Sequence, residues 1–466
     1  MDTLIRNGLI ITADGRLPAS IGIRNGQISG IFETGSEPEA REVIDASGLA
    51  VLPGAIDMHS HHRQGSEPGF EYKDTILTAT MQCAAGGVTT SVGMPNVTPP
   101  PNSLALLEKQ YAIYRSDSIV DWNFNPAPTI DSEMAGMAAT GIAAFKIFMV
   151  VDTGRSYPHM PGIGMHDHGK LLEIMQRCAE LNVPLMVHPH DQALMDVIEQ
   201  KFWARGERDA LAYAKAYAAH DGVIWETAIA TLLRLQRASG CHLHILHTQT
   251  AGSVDMIRKA KAAGQKVTCE LNPWALFLGC DWSAIERLGS YALSYWVPEK
   301  NVPGLWEGVR DGTIDIIATD HAPHTREEKE IGWTDGWKAH TGTPSTQFYL
   351  SMFLTAALEG KLSLERVVEA CSTTPARLFG LERKGQLLPG YDADLVLVDL
   401  ENAYEIRDED VLSLVGWSPY AGRKVKGKPV RTILRGRTVY VDGKVVGEKG
   451  YGKQAKAVRA SQAAAA

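Results

Sequence analysis

The sequence from residue 53 to residue 385 alternates short apolar runs with longer stretches of helical character. Apolar runs such as 183–187 and 266–271 have the length of buried strands, and the stretches 169–181 and 227–239 have the length and pattern of helices. Repeated alternation of this kind predicts a parallel sheet with crossover helices. Because roughly 330 residues suit a barrel with long loops, we predict an α/β fold with a TIM-like (β/α)₈ barrel.

The two ends of the chain carry a different pattern. Short β-like runs at 3–6, 9–12, 393–399 and 430–440 are bounded by Gly, Asn or Asp. We therefore predict one small β-sandwich domain that is formed from both chain ends, with the barrel inserted between them. The predicted boundaries are 1–53 for the first part of the sandwich, 54–384 for the barrel, 385–453 for the second part of the sandwich, and 454–466 for a disordered tail of low complexity.

Charge and composition restrict the possible partners. The net charge is −8 with a pI near 6.0, and no run rich in Lys or Arg stands out, so we predict neither nucleic acid nor a membrane surface as a partner. The sequence contains neither a secretory signal nor an apolar stretch long enough to span a bilayer, which predicts a cytoplasmic location. The scattered cysteines lack a Cys-x-x-Cys pair and are predicted to be reduced and structural.

Side chains that bind metals follow several apolar runs at the point where a strand would end. His59 and His61 are two positions apart, and alternate residues of a strand point to the same side, so both imidazoles can reach one point. Neutral imidazole is a common zinc ligand. His247 is preferred as a ligand over His242 and His244, which share the opposite phase of their strand and are assigned structural roles. The candidate ligands are His59, His61, Lys146, His188, His247 and Asp320.

Lys146 is the unusual member of this set. It lies between Phe145 and Phe148 in an apolar strand, where a charged ammonium is costly to bury. A lysine in such surroundings could lose its proton and add carbon dioxide, and the two oxygens of the carbamate could bridge two metal ions. The alternative is an ammonium that extends to solvent, and each histidine taken singly could be a hydrogen-bonded packing residue.

These segments resemble the cyclic amidohydrolases of the amidohydrolase superfamily, the group that contains dihydroorotase, allantoinase, and hydantoinase or dihydropyrimidinase. The resemblance implies a two-metal barrel with a β-sandwich, a carbamylated Lys146 between the ions, and Asp320 as both ligand and proton carrier. The implied reaction opens a cyclic amide, ureide or imide by attack of a metal-bridging hydroxide, with zinc as the first choice of metal, in a homodimer or homotetramer. The segments that carry the resemblance are 53–61, 86–90, 94–96, 145–146, 319–324, 389–395, His188 and His247.

Within this group the sequence is closest in motif to dihydroorotase. The His-x-Arg pattern at 61–63, Asn96, and His324 four residues after Asp320 resemble the dihydroorotase residues that hold a substrate carboxylate. The resemblance therefore implies Arg63, Asn96 and His324 as substrate-binding residues, and an arginine fork with neutral donors suits a carboxylate.

The sequence departs from the family pattern at three places. The segments 272–276 and 295–299 bring Trp274, Tyr295 and Trp296 toward the expected pocket, which predicts a flatter or bulkier ring than dihydroorotate. Val151 stands where hydantoinases have a tyrosine. Hydantoinase, dihydropyrimidinase or allantoinase activity remains the alternative. A non-catalytic structural relative and a single-metal deaminase are alternatives from other classes, but the former lacks the ligands and the latter has no use for Lys146.

Overall fold

The computed structural model describes residues 1–150, 163–278, 281–292 and 298–459. The strands, in chain order, are β1 Thr3–Thr12, β2 Gly15–Arg24, β3 Gln27–Phe32, β4 Glu42–Asp45, β5 Ala50–Pro53, β6 Ala55–Ser60, β7 Val88–Gly93, β8 Asp121–Phe124, β9 Phe145–Phe148, β10 Leu185–His188, β11 Leu243–Ile245, β12 Val267–Leu271, β13 Ile316–Ile317, β14 Leu395–Asp399, β15 Tyr404–Glu405, β16 Lys424–Val425, β17 Lys428–Leu434, β18 Arg437–Val441 and β19 Lys444–Val445. The α-helices are α1 Ile76–Ala85, α2 Leu104–Asp117, α3 Asp131–Ala139, α4 His168–Glu180, α5 Gln192–Ala204, α6 Ala210–Tyr217, α7 Val223–Ser239, α8 Ala251–Ala262, α9 Pro273–Phe277, α10 Trp282–Leu288, α11 Val302–Arg310, α12 Arg326–Glu330, α13 Tyr349–Leu358, α14 Leu364–Val368 and α15 Thr374–Phe379.

The strands β6 to β13 run parallel and alternate with helices, so the predicted α/β class is confirmed. β6, β7 and β8 form one parallel sheet, and β9 to β13 form a second. Backbone hydrogen bonds cross both gaps between these sheets: His61 N donates to His321 O at 2.7 Å, and Lys146 N donates to Pro126 O at 3.0 Å. The carboxyl ends of these strands therefore lie around one common space.

Apolar side chains from both parallel sheets meet in one buried cluster. The members include Ile56, Val92, Ala144, Met186, Leu246 and Ile316 from the strands and their ends, and Ala455 and Ala457 from the C-terminal segment. These apolar side chains form a core between the parallel strands and the C-terminal segment.

The C-terminal segment corrects a prediction. Disorder was expected from residue 454, but Ala455 N donates to Trp122 O at 2.8 Å, and Arg459 donates to the carbonyl oxygens of Ile142 and Ala143 at 2.6 Å each. The low-complexity composition suggested disorder, but alanine is small enough to pack in the apolar cluster between the parallel sheets and this segment. Residues 460–466 lie outside the described residues.

Strands from both chain ends form a β-rich unit. Within the described residues one sheet has the order β19-β18-β17-β14-β5-β1-β2-β3, with β4 paired to β1. The runs 3–6 and 9–12 were predicted as separate strands, but they form the single strand β1, which has a register shift between Ile5 and Gly8. Asn7 takes a φ of 62° at this irregularity, so the turn signal marks a bulge.

Two further predictions bear on the cellular compartment, and they concern the pairing of the cysteines and the presence of membrane-spanning helices. The cysteines that the structure describes are unpaired and buried; they are Cys83, Cys178, Cys241, Cys269 and Cys371, while Cys280 lies outside the described residues. Among the helices of the described ranges, none has both the length and the apolar character needed to cross a bilayer.

A buried ion cluster joins the parallel strands to the β-rich unit. The Lys384 ammonium lies 2.5 Å from Asp121 Oδ2, 2.7 Å from Asp394 Oδ2 and 3.0 Å from Asp392 Oδ2, and Arg435 also donates to Asp121. Burial lowers the pKa of Lys384, but the three carboxylates outweigh it and raise that pKa above its usual value. The ammonium thus occupies the centre of a carboxylate group that would otherwise attract a cation.

We expect Lys384→Met to lower the free energy of unfolding by roughly 3–5 kcal/mol, because it leaves buried carboxylates without their counter-charge. Urea unfolding followed by tryptophan fluorescence measures the change. The control is Lys259→Met, which removes an exposed lysine paired with Asp255 on the same helix. This substitution should lower the free energy of unfolding by less than about 1 kcal/mol. Equal losses in the two variants would contradict a structural role for the cluster.

Candidate metal centre

The structure brings the predicted histidines and Asp320 together at the carboxyl ends of the parallel strands. His59 Nε2 and His61 Nε2 each lie 3.2 Å from Asp320 Oδ1. The His247 ring centroid lies 4.9 Å from that of His59 and 4.8 Å from that of His188. All five residues are at most 5% exposed. Ligand atoms of His59, His61 and Asp320 lie within 4.8 Å of one another, as do those of His59, His247 and Glu270.

The other ring nitrogen of three of these histidines is held by an oxygen acceptor. His59 Nδ1 lies 2.5 Å from Glu270 Oε1, His61 Nδ1 lies 2.6 Å from the amide oxygen of Asn96, and His247 Nδ1 lies 2.9 Å from the amide oxygen of Asn272. Amide oxygens and carboxylates accept hydrogen bonds, so each ring carries its proton on Nδ1 and keeps Nε2 as the ligand nitrogen. This arrangement is the one expected around histidines that bind metal.

Glu270 and Asn272 are members of the candidate site that the sequence reasoning missed. Glu270 is fully buried on β12 and also faces His244 Nε2 at 3.5 Å, which leaves His244 in a supporting position. A carboxylate inside the apolar run 267–271 was the available signal, because such a group has to have a buried partner. Asn272 was read only as part of a departure from the family pattern.

The buried carboxylate of Asp57 holds β6 against the segment that precedes Asp320. Its carboxylate accepts hydrogen bonds from Thr319 N at 3.0 Å, from Thr319 Oγ1 at 2.6 Å and from Thr346 Oγ1 at 3.1 Å. These bonds attach β6, which carries His59, to the chain just before Asp320. Burial raises the pKa of Asp57, and the hydrogen bonds from Thr319 oppose that shift.

Three predicted site residues have a backbone conformation that side chains seldom adopt. The φ angles are 60° at Arg63, 53° at His247 and 48° at Asp320. Left-handed conformations at residues other than glycine cost energy and are concentrated at functional sites. The fold thus imposes on these three residues a positive φ angle, which residues other than glycine disfavour.

Burial favours the neutral form of three candidate ligands, His61, His247 and Lys146. It lowers the pKa of His247 to about 3 and that of His61 well below its usual value, so both rings are uncharged near neutral pH and able to bind a metal. Burial also lowers the pKa of Lys146 to about 7, although Glu270 and Asp320 oppose it. A substantial fraction of Lys146 is therefore a free amine at neutral pH.

Lys146 is buried without a hydrogen-bonded counter-charge among the described residues. Lys146 is 0% exposed, and its Nζ has no hydrogen-bond partner among the residues that the structure describes. The Nζ lies 4.1 Å from the centroid of the Phe148 ring. The alternative of a side chain that extends to solvent is therefore excluded.

The residues predicted to bind substrate lie beside the histidines. Arg63 Nη2 lies 3.0 Å from His324 Nε2, and both side chains are buried. Asn96 uses its amide oxygen for His61, which leaves its NH₂ group for a ligand. Trp274 is buried with its ring centroid 6.3 Å from that of His247. Tyr295, Trp296 and Val151 lie outside the described residues.

Known proteins resemble this chain over nearly its whole length. The model of the amidohydrolase family matches residues 50–439. L-hydantoinase of Paenarthrobacter aurescens is 34% identical over 97% of both chains, and dihydroorotase of Halobacterium salinarum is 36% identical over 94% of this chain and 96% of its own. The solved structure of L-hydantoinase (dihydropyrimidinase) from Arthrobacter aurescens has a TM-score of 0.90 at 31% identity, covering 97% of this chain and 99% of that one.

The chain belongs to the amidohydrolase family. The resemblance to the cyclic amidohydrolases, and with it the enzyme class of hydrolases that act on C–N bonds, is confirmed. The relatives divide between dihydroorotase and hydantoinase, so the substrate has to be argued from the side chains around the metal centre.

We expect Glu270→Gln to weaken metal binding by roughly 10- to 100-fold, because the neutral amide holds His59 less firmly than the carboxylate does. Competition with a chromogenic chelator measures the affinity. Glu199→Gln is the matched control, because Glu199 is a buried carboxylate whose partner is Trp337 Nε1 at 3.0 Å rather than a candidate ligand. Unchanged metal affinity in the Glu270 variant would show that Glu270 does not support metal binding.

Proposed function

We propose that this chain is a two-metal hydrolase that opens the ring of a cyclic amide, ureide or imide. In this proposal the parallel strands close into a (β/α)₈ barrel, the β-rich unit is a sandwich, and the metals are zinc ions. The ligands are the side chains that were predicted from the strand ends, namely His59, His61, His188, His247, Asp320 and the carbamate of Lys146.

The observation that carries the proposal is the buried Lys146 amine beside this set of ligands. A free amine attacks carbon dioxide, an N–C bond forms, and a proton leaves, which gives a carbamate with one negative charge and two oxygen atoms. Without this group the proposed ligands are four imidazoles and one carboxylate, Asp320. The carbamate adds the second anion and the bridging geometry that two divalent ions need.

The bound ions would supply Lewis-acid polarisation of the scissile carbonyl and a lower pKa for the attacking water. We infer that Asp320 holds a proton, because its Oδ1 lies 3.2 Å from Nε2 of both His59 and His61. Asp320 follows β13, the last parallel strand of the site. We assign to Asp320 the transfer of that proton to the leaving nitrogen, which prevents expulsion of an amide anion.

The substrate that this site favours carries an anionic substituent on the ring. Support comes from Arg63 and His324, which lie side by side in a buried position next to the residue pair His61 and Asn96. Dihydroorotate has such a carboxylate. Hydantoins, dihydropyrimidines and allantoin are the neutral alternatives, and buried Trp274 would suit a flat ring.

Two other predictions belong to this proposal. We propose a cytoplasmic enzyme, which agrees with unpaired buried cysteines in the described residues. A homodimer or homotetramer follows from the family resemblance. A non-catalytic structural relative is disfavoured because the structure brings together the histidine and carboxylate ligands that such relatives lack.

A panel of dihydroorotate, allantoin, hydantoins, dihydropyrimidines and cyclic imides tests the activity of the zinc-loaded protein. We expect a ring-opened acid as the product, detected by mass spectrometry, and the highest kcat/KM for a carboxylate-bearing ring. Release of ammonia from an intact ring would instead indicate a deaminase. Failure to open any ring would contradict the proposed function.

We expect Lys146→Ala to abolish turnover and to lower the metal content, because the bridging anion is lost. Elemental analysis gives the metal content, and reconstitution of the wild-type protein with and without bicarbonate tests the carbamate directly. The control is Lys261→Ala, which removes a half-buried lysine that pairs with Asp315. Two tightly bound metals with near-normal turnover in the Lys146 variant would rule out the carbamate bridge.

A further inference from the structure

A cluster of charged and titratable groups includes two of the proposed substrate-binding residues, Arg63 and His324. Its members are contributed by separate parts of the fold: Arg63 follows β6, Lys73 precedes α1, His324 precedes α12, and Glu328 lies within α12. We call these four residues the Lys73 cluster. Arg63, Lys73 and His324 are each at most 2% exposed.

Both ring nitrogens of His324 face a basic group. Arg63 Nη2 lies 3.0 Å from Nε2, and Lys73 Nζ lies 3.0 Å from Nδ1. Lys73 Nζ also lies 2.7 Å from Glu328 Oε1. Arg63 has a second anchor, because its Nε donates to Pro323 O at 3.3 Å.

This geometry determines where the protons are. The guanidinium of Arg63 can only donate, so His324 Nε2 accepts and the neutral ring carries its proton on Nδ1. That N–H faces Lys73 Nζ at 3.0 Å, while Glu328 Oε2 lies farther away at 3.5 Å. When Lys73 is a neutral amine, it is the nearer acceptor for this N–H and donates one of its own hydrogens to Glu328.

The surroundings of Lys73 make its neutral amine the main form only above a pH of about 8. Burial lowers the pKa of Lys73 to about 8, and Arg63 pushes it in the same direction, while Glu328 opposes both. The other charged or titratable groups around it are Tyr72, Lys329 and His340. Lys329 Nζ donates to His340 O at 2.6 Å and does not take part in the exchange described here.

We propose that Lys73 is a positioning residue that sets the tautomer of His324 and so releases Arg63 when an anionic substrate binds. The inference rests on the proposed function and names the substrate class of that site. When Lys73 takes up a proton, it donates to His324 Nδ1, and the ring proton moves to Nε2. The Nε2–H can no longer accept from Arg63, so both groups become donors for the anion.

Charge balance supports this exchange. Before binding, Arg63 carries one positive charge and Glu328 one negative charge. After binding, Lys73 adds a positive charge and the substrate anion adds a negative one. The Lys73 cluster with its ligand carries no net charge in either arrangement. This avoids the large free-energy cost of an uncompensated charge in the interior. A neutral substrate offers no charge to balance and leaves Lys73 uncharged.

Calorimetric titration of the zinc-loaded enzyme tests this linkage. Orotate serves as a carboxylate-bearing ring that hydrolysis does not open, and uracil serves as its neutral counterpart. The titrations are run in two buffers of different ionisation enthalpy at a pH of about 8.5 and again at about 6.5. We expect most of one proton to be taken up per orotate at the higher pH, little at the lower pH where Lys73 is already protonated, and none with uracil.

Two substitutions of Lys73 separate a proton effect from a packing effect. Lys73→Arg keeps a permanent positive charge and should bind orotate without linked proton uptake. Lys73→Met should also lose the uptake and should lose affinity for orotate relative to uracil. Lys329→Met is the matched control: it removes another buried lysine nearby, which donates to His340 O rather than to His324, and should keep the uptake.

Several outcomes would overturn the proposal. Orotate binding without proton uptake in the wild-type protein, or equal uptake in the wild-type and Lys73→Arg proteins, would show that Lys73 is not the group that titrates. An enzyme that opens neutral rings but does not bind orotate would refute the anionic substrate and leave the proposed hydrolase intact. An enzyme that opens no ring but shows the linked uptake would refute the hydrolase and leave the role of Lys73 standing.

Discussion

The site depends on hydrogen bonds that hold the Nδ1 atoms of its histidines. Glu270, Asn96 and Asn272 each provide an oxygen for one ring, which determines the tautomer and directs the Nε2 atom. Without these acceptors a buried imidazole could rotate or carry its proton on the nitrogen that has to bind the metal. The acceptors follow or lie within neighbouring strands, so the parallel arrangement of the fold is what makes the site possible.

Neutralisation of buried charge is the second constraint on this molecule. Lys384 is surrounded by carboxylates and remains charged, whereas Lys146 lies beside an aromatic ring and tends to lose its proton. The surroundings of Lys73 are intermediate between these two cases, because one carboxylate and one guanidinium lie nearby. The proposed roles of these three lysines, which are structural, metal-bridging and positioning, thus follow from the charges that the fold places around each of them.

Much of the site was predictable because its members follow apolar runs. His59, His61, His188, His247 and Asp320 converge as expected, and Lys146 is as deeply buried as its flanking phenylalanines indicated. Glu270 was missed because one acidic residue in a strand has no periodic signature. The C-terminal segment was judged by composition, which does not show that Ala455 and Ala457 fit a space between strands far away in sequence.

The sequence by itself determined the class of fold, the family and the identity of the candidate ligands, because strand periodicity and the residues at strand ends are local properties. Only the tertiary structure decided which acceptor holds each imidazole and which charges surround each lysine. Those relations join residues as far as 263 positions apart, as between Asp121 and Lys384. Proton positions and pKa values depend on distance and burial, and both arise only when the chain is folded.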